Sequence, residues 1–289
     1  MKRKLKLAIS LALRVRDLLH DGLCWLVGRE VPARCMVLYY HTVPAGHREL
    51  FARQLDTILK LARPISTNPN GTLAPGGRYV AVTFDDGFIS VMQNAAPELK
   101  KRQIPWTMFV PSGCIGKKPD WLRQAHPAAR EDRVMTAAEL CQLAKDPLVS
   151  IGSHTANHAN LLETGSERAA DELTRSKSDL EAILGKAVQQ FSYPFGARSS
   201  ATDGQARAAG YTHIFSSDPC YASFPATAAN VAPSVTEAPK HRSTGSLSTS
   251  AIGRASVDPD ISPLEFRLKL LGAYRWLARI HRSTEAAKH

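Results

Sequence analysis

Residues 79–87 read YVAVTFDDG, and this stretch decides the fold. Tyr79–Phe84 is a continuous apolar run rich in β-branched and aromatic residues, the pattern of a strand buried on both faces. It ends at two adjacent carboxylates, Asp85 and Asp86, followed by Gly87. Outward from it, Cys35–Tyr40 (CMVLYY), Trp106–Val110 (WTMFV), Val149–Gly152, Gln190–Tyr193 and Tyr211–Ser216 read as further strands. Leu50–Ala62, Ile89–Arg102, Thr136–Ala144, Glu167–Leu184 and Thr202–Ala209 read as helices between them. Thr136 and Glu139 are spaced as a capping box, and Gly185 stops the long helix before it. Strand and helix alternate from about residue 35 to 216, which predicts an α/β fold with a parallel sheet or barrel. Ala251–Val257 is a candidate last strand.

The chain has 289 residues, 44% apolar and 22% charged, enough for one large domain with a sizeable core and against global disorder. Its formal charge of +11 attracts anionic surfaces without choosing among them. No basic patch interleaved with aromatic residues is visible, so nucleic acid is not an expected partner. The five cysteines are widely spaced with no CxxC, which predicts reduced thiols rather than a disulfide framework or a cysteine metal site.

Residues 1–30 form a basic N-terminal segment in which 3–27 read as an amphipathic helix. Leu7–Leu13 is apolar, but Arg14, Arg16 and Asp17 interrupt it, so neither a cleavable signal peptide nor a membrane span is expected. Two roles stay open for this helix: packing on the domain, or lying on an anionic membrane surface. The expected location is cytoplasmic, with peripheral contact at the inner face of the membrane. Residues 31–262 are the main domain, with a long loop over 217–250. Residues 263–289 are a second basic amphipathic segment, helical over Pro263–Arg282.

Three polar clusters each follow a strand directly: Thr83–Gly87 (TFDDG), His154–His158 (HTANH) and Ser192–Gly196 (SYPFG). In parallel α/β folds the loops after the strands converge on one face, where active sites lie. Two adjacent carboxylates repel unless a cation lies between them, although Asp-Asp-Gly alone is also good turn chemistry. Two histidines four apart, if on a helical turn, have Cβ atoms about 5–6 Å apart and can share a metal. With one aspartate they make a site of three protein ligands that leaves positions open for water and substrate.

TFDDG, then HTxxH, then YPFG resembles the NodB-homology polysaccharide deacetylases of carbohydrate esterase family 4, over about residues 35–257. YYHT at 39–42 and FVPSG at 109–113 fit the same family. The resemblance implies a distorted (β/α) barrel of about seven parallel strands, here with amphipathic helices at both ends. It implies a metal-dependent N-acyl hydrolase acting on an amino sugar, with Asp85 as general base and Asp86, His154 and His158 as metal ligands. The backbone N–H of Phe195 is then the oxyanion donor, with Tyr193 and Pro194 beside the substrate. Zinc is the default metal, and the ligand set also admits cobalt or nickel.

The chain departs from the family pattern in two places. Many relatives carry an arginine where this chain has Ser192, and no partner aspartate motif appears near Tyr211–Pro219, so the pair that orients the base is expected to be dispensed with. The Leu-x-His motif that supplies the general acid is also absent, and Ser246–Arg254 holds no histidine. His41, His213 and His241 are the remaining candidates. The expected partner is a glycan of the cell surface or a lipid-linked sugar precursor. A deformylase or amidase of a related sugar, and a binding module without activity, are the competing readings.

Overall fold

The computed structural model describes residues 3–69, 71–118, 121, 131–224 and 251–278. Strand β3 (Arg78–Phe84) is flanked by β1 (Arg34–Tyr40), with Arg34 opposite Arg78 and Tyr40 opposite Phe84. On its other side follow β4 (Trp106–Val110), β5 (Val149–Ser153), β6 (Gln190–Ser192) and β7 (His213–Phe215), all parallel. Beyond β1 lies the short β8 (Ala255–Ser256), and β2 (Arg63–Pro64) pairs with the start of β3. The order is β7-β6-β5-β4-β3-β1-β8. Ile252, just before β8, also bridges Phe215 of β7, so one segment draws the two ends of the sheet together. This is the curled parallel sheet of a distorted (β/α) barrel, as the motif resemblance implies.

Helices α2 (Arg48–Leu61), α3 (Ala96–Lys101), α4 (Ala137–Leu143), α5 (Ser166–Leu184) and α6 (Ser200–Ala208) fill the crossovers. The Thr136–Glu139 capping box is present, and Gly185 ends α5 in the left-handed conformation. Before α3 the turns over Val91–Ala95 widen to a π-helix. Pro97 has no N–H to give to the preceding turn, and the widened turn makes room for its ring.

Successive strand residues face opposite sides. Met36, Leu38, Val80, Val82, Phe84 and Met108 join the large core under the helices, packed with Phe51, Leu55, Leu99 and Leu173. Their neighbours Val37, Ala81, Phe109, Phe215 and Ile252 form a second, smaller apolar cluster inside the curl of the sheet. Thr83 and Asp85 continue that inward alternation from Ala81, which points Asp85 into the barrel mouth.

Two expectations at the chain ends change. Helix α1 (Arg3–Leu26) forms where predicted, but its orientation is unexpected and is described below. The C-terminal helix α7 covers Pro263–Leu270, a turn follows and helix resumes at 277–278, where the described residues end, against the unbroken helix predicted over Pro263–Arg282. Gly272 has φ 75°, and a Cβ there would meet the Tyr221 ring at 2.5 Å, so the chain turns against Tyr221 instead of continuing the helix. Residues 279–289, most of the 217–250 loop and His241 lie outside the described residues.

Candidate metal centre and the arginine behind it

The three polar clusters converge at the C-terminal ends of β3, β5 and β6. Asp86 Oδ1 lies 3.2 Å from His158 Nε2 and 3.6 Å from His154 Nε2. All three residues are buried, and their ligand atoms lie within 4.8 Å of one another. The backbone is bent to bring them together. Asp86 (φ 70°), Thr155 (φ 62°), His158 (φ 56°) and Phe195 (φ 60°) are left-handed, and Gln103 is the only other non-glycine residue so placed among those described. Such strain costs of order 1–3 kcal/mol per residue and persists only where surrounding contacts impose it.

Those contacts are specific. His154 and His158 lie on a loop, not on the helical turn that their spacing suggested. Buried Glu172 of α5 holds the loop, accepting the Asn157 N–H and its side-chain amide at 2.7 Å each. From β4's end, Ser112 and Gly113 donate their N–H groups to the Thr155 and Ala156 carbonyls. A Cβ on Gly113 would come within 2.7 Å of the Asn157 side chain, so the FVPSG glycine is needed for this approach. The His154 and His158 rings still meet, edge-on, with centroids 5.0 Å apart.

The donor set fits a divalent cation. His154 Nδ1 hydrogen-bonds the Ser192 carbonyl at 2.8 Å, so that nitrogen carries the proton and Nε2 presents a lone pair to Asp86. Burial pushes the His154 imidazolium down to about 4, leaving the ring neutral and able to ligate. Asp86 Oδ1 is buried and has no hydrogen-bond partner, although two imidazoles face it. Burial would raise the Asp86 carboxyl, but its His158 contact, with His41 and His154, outweighs that and holds it at about 2.

Asp85 sits beside this set, 3% exposed, and its partner was not foreseen from the sequence. The Arg254 guanidinium, 1% exposed, grips it with both arms: Nη1 donates to Oδ1 at 2.7 Å and Nη2 to Oδ2 at 2.8 Å. Nη2 also donates to the Ser192 hydroxyl at 2.6 Å, Nη1 to Thr83 at 3.2 Å and Nε to the Ser216 carbonyl at 3.2 Å. The Tyr39 ring lies beneath the guanidinium, 4.5 Å from centroid to Cζ. The expectation that a base-orienting arginine is dispensed with is therefore corrected. It comes from the segment that closes the sheet and rests against the serine that replaces it in the third motif. A signal was available: AIGRASV is an apolar last strand with one arginine in it, and a buried arginine requires a carboxylate. Burial would raise Asp85, but the Arg254 charge, ahead of His154, holds it below the ordinary carboxylate range.

The remaining predicted residues divide. Phe195 is two-thirds exposed at 66%, its ring edge-on to His158 at 4.7 Å. Tyr193 and Pro194 are buried beneath it, and the Tyr193 hydroxyl donates to Asp203 at 2.8 Å, so that hydroxyl is not available to a substrate. Trp121, unremarked in the sequence, stacks flat on His158 with centroids 4.2 Å apart. His213 is buried at the start of β7, away from the strand ends that carry the site, with Nδ1 2.9 Å from the Thr212 hydroxyl. His41 follows β1 at the site face, and its charge acts on both Asp85 and Asp86.

Residues 73–214, just under half of the chain, match the family model described as polysaccharide deacetylase. Over 223 residues it is 25% identical to YxkH of Bacillus subtilis (strain 168), a protein named for the same family, covering 73% of this chain and 74% of YxkH. The fold matches IcaB from Ammonifex degensii with a TM-score of 0.62 at 23% identity, covering 84% of this chain and 100% of that one. It also matches the Streptococcus pyogenes deacetylase PplD, solved with acetate, with a TM-score of 0.56 at 21% identity, covering 83% and 97% of the two chains.

Proposed function

We propose that this protein is a metal-dependent hydrolase that removes an N-acyl group, most simply N-acetyl, from an amino sugar of a surface polysaccharide or its glycolipid precursor. The observation that carries the reading is the buried Asp86–His154–His158 set with an ionised Asp85 beside it, all at the C-terminal ends of parallel strands. The acetate bound in the PplD structure favours acetyl as the group removed. A binding module would have no use for a buried ionised aspartate and the arginine that holds it.

Asp86, His154 and His158 would hold a divalent ion, which would supply Lewis acidity toward a water and an amide carbonyl. Asp85 takes the proton of the attacking water as general base. Arg254 fixes its carboxylate plane and keeps it charged. The left-handed Phe195 backbone supports a donor role for its N–H toward the developing oxyanion. The exposed Phe195 ring and the Trp121 ring beside His158 suit the apolar face of a sugar. The leaving amine needs a proton, and we assign its donor to His41, the candidate histidine at the site face.

Two measurements test this reading. Purified protein is expected to bind about one equivalent of a transition ion such as zinc, and His154→Ala to lose it; metal-free wild type after exposure to zinc, cobalt and nickel in turn would refute the ligand assignment. In acetate-release assays on N-acetylated amino-sugar oligosaccharides, His41→Ala is expected to lower kcat by roughly 10²-fold with metal retained. An unchanged kcat would remove His41 from the role. Release of formate in preference to acetate would favour the deformylase reading.

A further inference from the structure

We infer that α1 is a docking surface for an anionic lipid bilayer, because the helix is mounted inside out. The side that faces the body of the protein carries its buried polar groups, with Leu7 packed beside Leu268 and Tyr274 near the helix start. The Ser10 hydroxyl accepts the Trp276 indole N–H at 3.0 Å. Asp17 receives both arms of Arg275 at 2.7 Å each, and Asp21 receives both arms of Arg34 at 2.7 and 2.6 Å. Ser10 and Asp17 are the buried residues of α1. The apolar side faces outward: Val15 is 48% exposed, Leu19 71%, Leu23 59% and Leu26 73%, with Trp25 at 79%.

A helix normally turns such a stripe to the core, and solvent-exposed leucines at helical spacing along one face indicate a missing apolar partner. The charge identifies the partner. Asp17 and Asp21 are the only carboxylates in α1, and both are held by arginines of the body, Asp17 by Arg275 with Arg16 beside it and Asp21 by Arg34. Lys4 and Arg16 are exposed on the same helix, and the whole chain carries +11. A second copy docking through this face would bring two strongly cationic bodies together around like charges. An anionic headgroup layer over an acyl boundary satisfies both the cations and the leucines. No described helix is long and apolar enough to cross a membrane, so α1 would lie on the surface.

The mounting suits docking without blocking the site. α1 runs from the first turn of α7, where Arg3 meets Glu265, to the first residues of β1 and β3, where Asp21 meets Arg34 and Arg78. The metal centre is at the opposite, C-terminal ends of those strands. A body held by α1 therefore keeps its catalytic mouth clear of the attached face.

Vesicle co-sedimentation of the full chain tests this. Phosphatidylcholine vesicles containing phosphatidylglycerol are expected to bind at least tenfold more protein than pure phosphatidylcholine, with much of the difference lost in high salt. Leu19→Ser/Leu23→Ser, which alters only exposed positions, is expected to abolish sedimentation while leaving the circular dichroism and melting temperature unchanged. Acetate release from a soluble oligosaccharide should be equal in variant and wild type, so failure here is distinguishable from failure of the proposed activity. Wild type that stays with the supernatant at every lipid composition overturns the inference. So does a variant that binds vesicles as well as wild type, or a wild-type dimer in sedimentation velocity that the variant abolishes in the absence of vesicle binding.

Discussion

Asp85→Asn is expected to lose amide hydrolysis by about 10²–10⁴-fold while keeping its bound metal. The amide is close in shape to the carboxylate and accepts from one arm of Arg254 through its oxygen, but its NH2 meets the other arm and the buried guanidinium loses its counter-charge, so a lowered melting temperature is expected with it. What disappears is the negative charge that takes a proton from water. Asp86 Oδ1, His154 Nε2 and His158 Nε2 are untouched, so metal analysis should match wild type. Activity that persists in a metal-loaded Asp85→Asn protein would mean the proton goes elsewhere.

Arg254→Leu is expected to be the most destabilising single change. Removing one member of a buried ion pair typically costs about 3–5 kcal/mol, because the other charge is left without compensation. For a domain of this size that corresponds to a fall in melting temperature on the order of 10 °C. Arg254 and Asp85 side chains are 1% and 4% exposed, so little solvent is available to replace the pair. The double variant Asp85→Asn/Arg254→Leu removes the orphaned charge and should recover much of the loss, giving a coupling that a purely packing role would not produce. The pH dependence provides a separate readout. The Asp85 carboxyl is held low in the folded protein, so the pair's stabilisation is present above the unfolded carboxyl pKa of about 3.9 and is lost as pH falls toward the folded value. Without Arg254, burial acts with less opposition and raises that carboxyl. The acid limb of the Arg254→Leu rate profile should therefore move to higher pH. An unmoved limb would reduce Arg254 to a structural residue.

The transposed arginine bears on how such sites are read from sequence. The absence of a motif residue at Ser192 suggested that its function was gone. The carboxylate still needed a cation once it was buried, and Arg254, distant in sequence, supplies it across 169 positions. The strand that closes the sheet brings Arg254 there, and that closure depends on pairing with both β7 and β1. Local sequence around the third motif carries no trace of this. The Trp121 stack on His158 is similar, since an indole in a loop has no pattern that announces a partner 37 residues away.

The histidine pair illustrates the reverse case. Its residues are correctly chosen by spacing, yet its backbone is a left-handed loop rather than a helical turn. Metal-ligand chemistry selects residue types and reach, and it accepts any backbone that delivers both imidazoles. Glu172 and Gly113, each outside the motif, decide which backbone is used.

By itself the sequence determined the alternation of strand and helix, the position of the polar clusters after β3, β5 and β6, and the amphipathic period of α1. These are local properties: periodicity, turn chemistry and residue type act over a few neighbours. Tertiary structure alone decided which arginine holds Asp85 and which side of α1 faces out. A guanidinium finds its carboxylate only when the sheet has curled. An amphipathic helix has two sides, and nothing in its own period says which is inward. Here Asp17 and Asp21 found arginines on the body, and those paired charges turned the leucines outward.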